Sequence, residues 1–109
     1  MSADEFKYYL VGPGPRPPFY RIPQHLWGKD CNFDSDGDSY PDPHTTQWTW
    51  LYAALRPDRR EVLIVNAIET TPQLVLAISS KSEQLAERAA IFLRDEAGGE
   101  LRDKWPNSN

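Results

Sequence analysis

Between residues 47 and 97 the chain carries three apolar strand patterns joined by short turns, then one amphipathic helical pattern, and this order leaves few folds open. Gln47 to Leu55 alternates, with Trp48, Trp50 and Tyr52 on one side. Glu61 to Ile68 is β-branched and aliphatic, and Gln73 to Ile78 repeats that character. The connections between them, Arg56-Pro57-Asp58-Arg59-Arg60 and Glu69-Thr70-Thr71-Pro72, are turn sequences too short for a parallel crossover, so the pattern predicts an antiparallel meander. Ser80 to Glu83 fits a capping box. Leu85, Ala86, Ala89, Ala90, Phe92 and Leu93 then recur at helical spacing, and Gly98-Gly99 supplies a stop, which predicts a helix over 80–97 with a small-residue face suited to lying on a sheet.

The first half reads less regularly. Phe6 to Val11 is a strand, with Phe6, Tyr8 and Leu10 sharing a face. Gly12-Pro13-Gly14-Pro15-Arg16-Pro17-Pro18 lacks the donors for a helix or ladder interior and reads as a stiff connector that also contains a Pro-x-x-Pro. Phe19-Tyr20-Arg21-Ile22 suggests a short strand, residues 23–46 a long irregular loop, and the residues from Glu100 on a short strand or a frayed end, with Trp105 able to pack back on the sheet. The expected fold class is α+β: one domain over 1–109, an antiparallel sheet of three to five strands with one C-terminal helix packed on it.

The expected loop is chemically the most distinctive part. Residues 30 to 55 carry five acids and no lysine or arginine, so the segment calls for a cation, a basic partner or water. Asn32, Asp34 and Asp36 fit the first, third and fifth positions of a calcium loop whose sixth residue is Gly37; however, the twelfth position is Pro43 rather than a bidentate glutamate, and no helices flank it. Asp34-Ser35-Asp36-Gly37-Asp38-Ser39-Tyr40-Pro41-Asp42 more closely resembles the Asp-rich calcium repeats of the thrombospondin type-3 kind, over about a tenth of the chain. That resemblance implies Asp34, Asp36, Asp38 and Asp42 as calcium ligands. In that family the repeats occur in tandem and outside the cytoplasm, whereas this chain has one copy.

The formal net charge of −4 argues against a nucleic-acid partner, and no apolar run approaches a membrane span. One cysteine excludes an intrachain disulfide, and the first residues do not form a signal peptide, so a cytoplasmic protein is expected. Catalytic candidates are confined to Cys31 with His25 or His44. Asp30 and Asp34 beside the thiol disfavour its thiolate, and no phosphate-cradling glycine loop or hydrolase motif is present.

In general style the chain looks like the small bacterial immunity proteins that block a basic toxin with carboxylates. The leading expectation is therefore a non-enzymatic binding protein in which Asp34, Asp36, Asp38 and Asp42 face a basic protein partner while Trp27 and Tyr40 anchor the contact. A calcium-binding module through Asn32, Asp34, Asp36, Asp38 and Asp42 is the second reading, and a small enzyme built on Cys31 is the third. Trp48, Trp50 and Tyr52 are expected in the core; on an open face they would instead form a stacking platform or an interface anchor.

Overall fold

The computed structural model describes residues 6–38, 45–56, 61–70 and 73–103. In chain order these form β1 (Phe6–Val11), α1 (Arg21–Trp27), β2 (Phe33–Gly37), β3 (Trp50–Leu55), β4 (Val62–Glu69), β5 (Val75–Ser80), α2 (Glu83–Ala97) and β6 (Glu100–Arg102). The strands make one six-stranded antiparallel sheet in the order β2-β3-β4-β5-β1-β6. The expected meander is its centre, β3-β4-β5. Both helices lie on one side: α2 packs across β5, β1, β4 and β6, and α1 packs on α2.

Register fixes which side chains meet the helices. Leu10, Leu76 and Ala67 stand in one row across β1, β5 and β4; Tyr8, Ile78, Val65 and Leu51 stand in the next. With Leu85, Ala89, Ala90 and Leu93 of α2 and Ile22 and Leu26 of α1, these rows supply most of the core. Ala86, Ala89 and Ala90 have no exposed surface, so the alanine face does bring the helix close to the sheet. At the α1–α2 contact the His25 ring stacks on Phe92 (4.4 Å between centroids), the Arg21 guanidinium lies over the Phe92 ring, 5.7 Å from its centroid, and Arg21 pairs with Glu96 at 2.8 Å.

Several expectations need correction. The sheet has six strands rather than three to five, because an acidic segment and the residues after Gly99 both pair as edges. Residues 23–46 are not one irregular loop: they contain most of α1 and the whole of β2. Phe19–Ile22 is not a strand but a turn at Phe19-Tyr20 followed by the first two residues of α1, whose Pro23 lies in the first helical turn, where a missing N–H costs nothing. The second helix begins at Glu83 rather than residue 80, since Ser80 is still paired with Phe6 in the ladder. Its N-cap is Ser82, whose hydroxyl accepts from the Leu85 N–H at 3.2 Å, while Ser80 Oγ accepts from the Ser82 N–H at 3.1 Å.

The proline-rich connector is built into the fold rather than displayed. Arg16 and Pro17 are buried. Arg16 Nε donates to the Trp48 carbonyl and Nη1 to the Gly14 carbonyl, both at 3.0 Å, while the Trp48 indole N–H donates to the Pro17 carbonyl at 2.8 Å. These bonds hold residues 14–17 against the approach to β3. Gly99, at φ +101°, then lets the chain turn from α2 into β6: a Cβ there would stand 2.8 Å from the Val11 carbonyl oxygen.

Candidate protein-binding face

Strand alternation gives the sheet a second side, away from the helices. Two rows cross it. One runs Asp36, Tyr52, Ile64, Ser79, Lys7 over β2, β3, β4, β5 and β1. The other runs Trp50, Asn66, Ala77, Tyr9, Arg102 over β3, β4, β5, β1 and β6. Trp50 is 39% exposed and Ile64 37%, whereas Leu51 and Val65, one residue further along each strand, are buried. In these two rows β5 contributes only the short Ala77 and Ser79 between the taller side chains of β3, β4 and β1, which forms a shallow trough bounded beyond Ala77 by Val75.

The expected aromatic stripe therefore divides. Trp48 precedes β3 and lies in the core, as expected. Trp50 and Tyr52 do not join it; they share the open side with Ile64. The reason is local. Arg16 and the connector hold Trp48 inward before the strand starts, so it does not share the parity that β3 sets from Trp50 onward.

Asp34 and Asp36 fall on the same side, with Asp38 just beyond β2, but the three are in different states. Asp34 Oδ1 accepts from Arg56 Nη1 at 3.0 Å. Asp36 is exposed, and its Oδ1 accepts from the Gly37 N–H at 2.9 Å. Asp38 closes the β2–β3 hairpin end: Oδ1 accepts from the N–H groups of Thr49 (2.8 Å) and Trp50 (3.2 Å), and Oδ2 accepts from the Thr49 hydroxyl at 2.5 Å. Burial alone would raise the Asp38 carboxyl, but these donors outweigh it and hold the carboxyl below its ordinary value. Burial lowers the Arg16 guanidinium, and the charge of Asp38 opposes that.

Gly37 is part of a strand here, not the sharp turn of a calcium loop. A Cβ at this position would come 2.7 Å from the Trp50 carbonyl oxygen, so close strand approach accounts for the glycine. Among the described residues no three His, Cys, Asp or Glu side chains converge where they could hold a metal ion. Asn32 precedes β2 and its carbonyl accepts from the Arg56 N–H at 2.9 Å. Tyr40, Asp42 and His44 lie outside the described residues.

Trp27, the other expected anchor, ends α1 half-buried against the core, with its indole N–H donating to Glu61 at 2.7 Å. It does not join the acids. Cys31 is half-buried, its thiol 3.6 Å from the Pro23 carbonyl; burial, with Asp30 adding to it, pushes the thiol up despite a backbone hydrogen bond. His25 is engaged with Phe92 instead. No described helix is long and apolar enough to cross a membrane.

Ile64, Asn66, Tyr9 and Lys7 were not singled out from the sequence. The signal was available in β4: once Leu63 and Val65 are assigned to the core, Ile64 and Asn66 must point the other way. Comparison with known proteins finds no matching family model, no matching curated protein and no matching solved structure.

Proposed function

We propose that this chain is a small non-enzymatic protein-binding module whose contact surface is the open side of the sheet, used against a basic protein partner in the manner of an immunity-type inhibitor. One observation carries the reading. Trp50 and Ile64, both large and apolar, stand exposed on neighbouring strands on the side of the sheet away from the described helices, and the acidic edge strand β2 lies next to β3. Apolar anchors ringed by charge are the usual anatomy of a specific interface. Asp36 meets the partner's Lys or Arg; Trp50 and Tyr52 supply apolar contact and an aromatic surface for the same cations. Asp38 supports the site indirectly by fixing the end of β2 against β3. Asp34 reaches a partner only in exchange for Arg56.

The test uses a panel of lysine- and arginine-rich peptides and small basic nucleases, titrated calorimetrically at 50 and 300 mM salt. Binding that weakens with salt, and falls at least tenfold in both Asp36→Asn and Trp50→Ala, supports the reading. Binding indifferent to salt and to both substitutions overturns it.

A further inference from the structure

The open side carries its own complement. In the first row the order across the sheet is acid, aromatic, aliphatic, small, base: Asp36, Tyr52, Ile64, Ser79, Lys7. In the second, Trp50 on β3 and Ala77 on β5 flank Asn66 on β4. Each row is therefore tall on the β3 side of β4 and low on the β5 side, and the first is negative at one end and positive at the other.

We infer that this side closes on a second copy of the chain, forming a twofold sandwich with its axis along β4. Two twofold stackings keep the strands of the facing sheets aligned. A twofold axis across the strands would set each β2 over its counterpart, acid on acid. An axis along β4 reverses the strand order of the partner and leaves the rows in place. Asp36 then faces Lys7 of the partner copy, Tyr52 faces Ser79, Trp50 faces Ala77, and Ile64 and Asn66 meet their own counterparts. Charge opposes charge at Asp36 and Lys7, height fills hollow where Tyr52 and Trp50 meet Ser79 and Ala77, and like meets like only on the axis itself, which is the self-complementarity of an isologous interface. Sheet twist rotates the facing strands by about 30°, which preserves the contacts near the axis and leaves the ends to the long Lys7 side chain.

The size is adequate. Five facing strands about 4.8 Å apart and about 20 Å long, with β6 left overhanging, give on the order of 500 Å² per copy, near 1,000 Å² in total, enough for a specific but dissociable contact. The Asp34–Arg56 pair (3.0 Å) and the Glu100–Arg102 pair (3.0 Å) are each internally compensated and do not oppose it. The inference rests on the open side being the binding surface, and it gives that surface a resting state: the dimer covers Asp36, Trp50 and Tyr52, so a basic partner must compete with the second copy.

The experiment is sedimentation velocity of the full chain from about 1 to 300 μM at 50 and 500 mM salt. The expected result is a monomer–dimer equilibrium in the micromolar range that weakens with salt. Lys7→Glu and Asp36→Lys should each raise the dissociation constant at least tenfold. The chain carrying both changes should recover dimerisation, and that recovery also controls for misfolding of the single variants. Ala77→Trp, which fills the trough, should give a monomer with an unchanged circular dichroism spectrum. A wild-type monomer at 300 μM and low salt overturns the inference, as does a dimer indifferent to Lys7→Glu and Ala77→Trp. A monomer that still binds basic peptides through Trp50 overturns the dimer alone and leaves the binding surface standing; a dimer that ignores basic peptides does the reverse.

Discussion

The two central strands are buried in different ways. β4 alternates, with Leu63 and Val65 hidden and Ile64 and Asn66 exposed. β5 is buried at all six of its positions. Toward the helices the cause is the same for both: α2 and its neighbours cover them. No described helix lies on the open side, where Ala77 and Ser79 are short between taller neighbours and Val75 packs between Val11 and Glu69 in the ladder. Burial by an opposing layer contributes packing energy. Burial beneath neighbouring side chains contributes less and leaves those neighbours accessible for recognition.

Substitution can break this comparison directly. Leu63→Ala should cost about 2–5 kcal/mol, while Ile64→Ala, one residue away, should cost no more than about 1 kcal/mol. Urea denaturation of both variants measures the gap, and equal losses would remove the distinction between the two sides. Trp48 and Trp50 sharpen the same point with one residue type. Trp48→Phe keeps most of the ring but leaves the Pro17 carbonyl without its donor, for a loss of about 1–3 kcal/mol. Trp50→Phe should be close to neutral in the same assay.

Asp38 tests the end of β2. Its carboxyl is held below its ordinary value in the fold, so its contribution is present above the unfolded value and is lost as pH falls through the folded one. At pH 7, Asp38→Asn should cost about 1 kcal/mol, a modest figure because the carboxylate is largely in water. The gap between variant and wild type should close as pH drops below the ordinary carboxyl value of 3.8. Thermal melts from pH 2.5 to 7 follow it; a gap constant with pH would mean the carboxylate charge contributes nothing. Smallest of all, Arg56→Ala removes an exposed ion pair and should change stability by about 0.2–1 kcal/mol, less in 0.5 M salt.

The parts of the fold legible in the sequence are those where one periodicity holds without interruption. β4, β5 and α2 each have a run of aliphatic residues and a clear stop, and their predicted and observed positions differ by a few residues at the ends. α1 is only seven residues long with a proline inside it, too short for a helical period to stand out, and its stability comes from Ile22 and Leu26 docking on the core. β2 reads as a loop because Asp, Ser and Gly are turn formers; pairing with β3, the Arg56 contact and the Thr49 hydroxyl override those preferences. The candidate surface is half legible: the acids and aromatics stand out in the sequence, but the common side of Asp36, Trp50 and Tyr52 follows only from the strand register.

The place of β1 in the sheet has a consequence for how the protein is made. This strand precedes every other element in the chain, yet its neighbours are β5 and β6, which come near the other end of the described fold. A nascent chain that has emerged through β4 holds Leu10 and Tyr8 with nothing to pair against, and it cannot complete its hydrophobic layer until α2 has left the ribosome. Loop closure over so much chain is slow compared with hairpin formation, so the β2-β3-β4 hairpins assemble first, β1 is seated only once β5 is in place, and β6, which pairs with β1, comes after it. Until β5 has emerged, the apolar face of β1 stays exposed, so a pause in synthesis before β5 would lengthen that exposure.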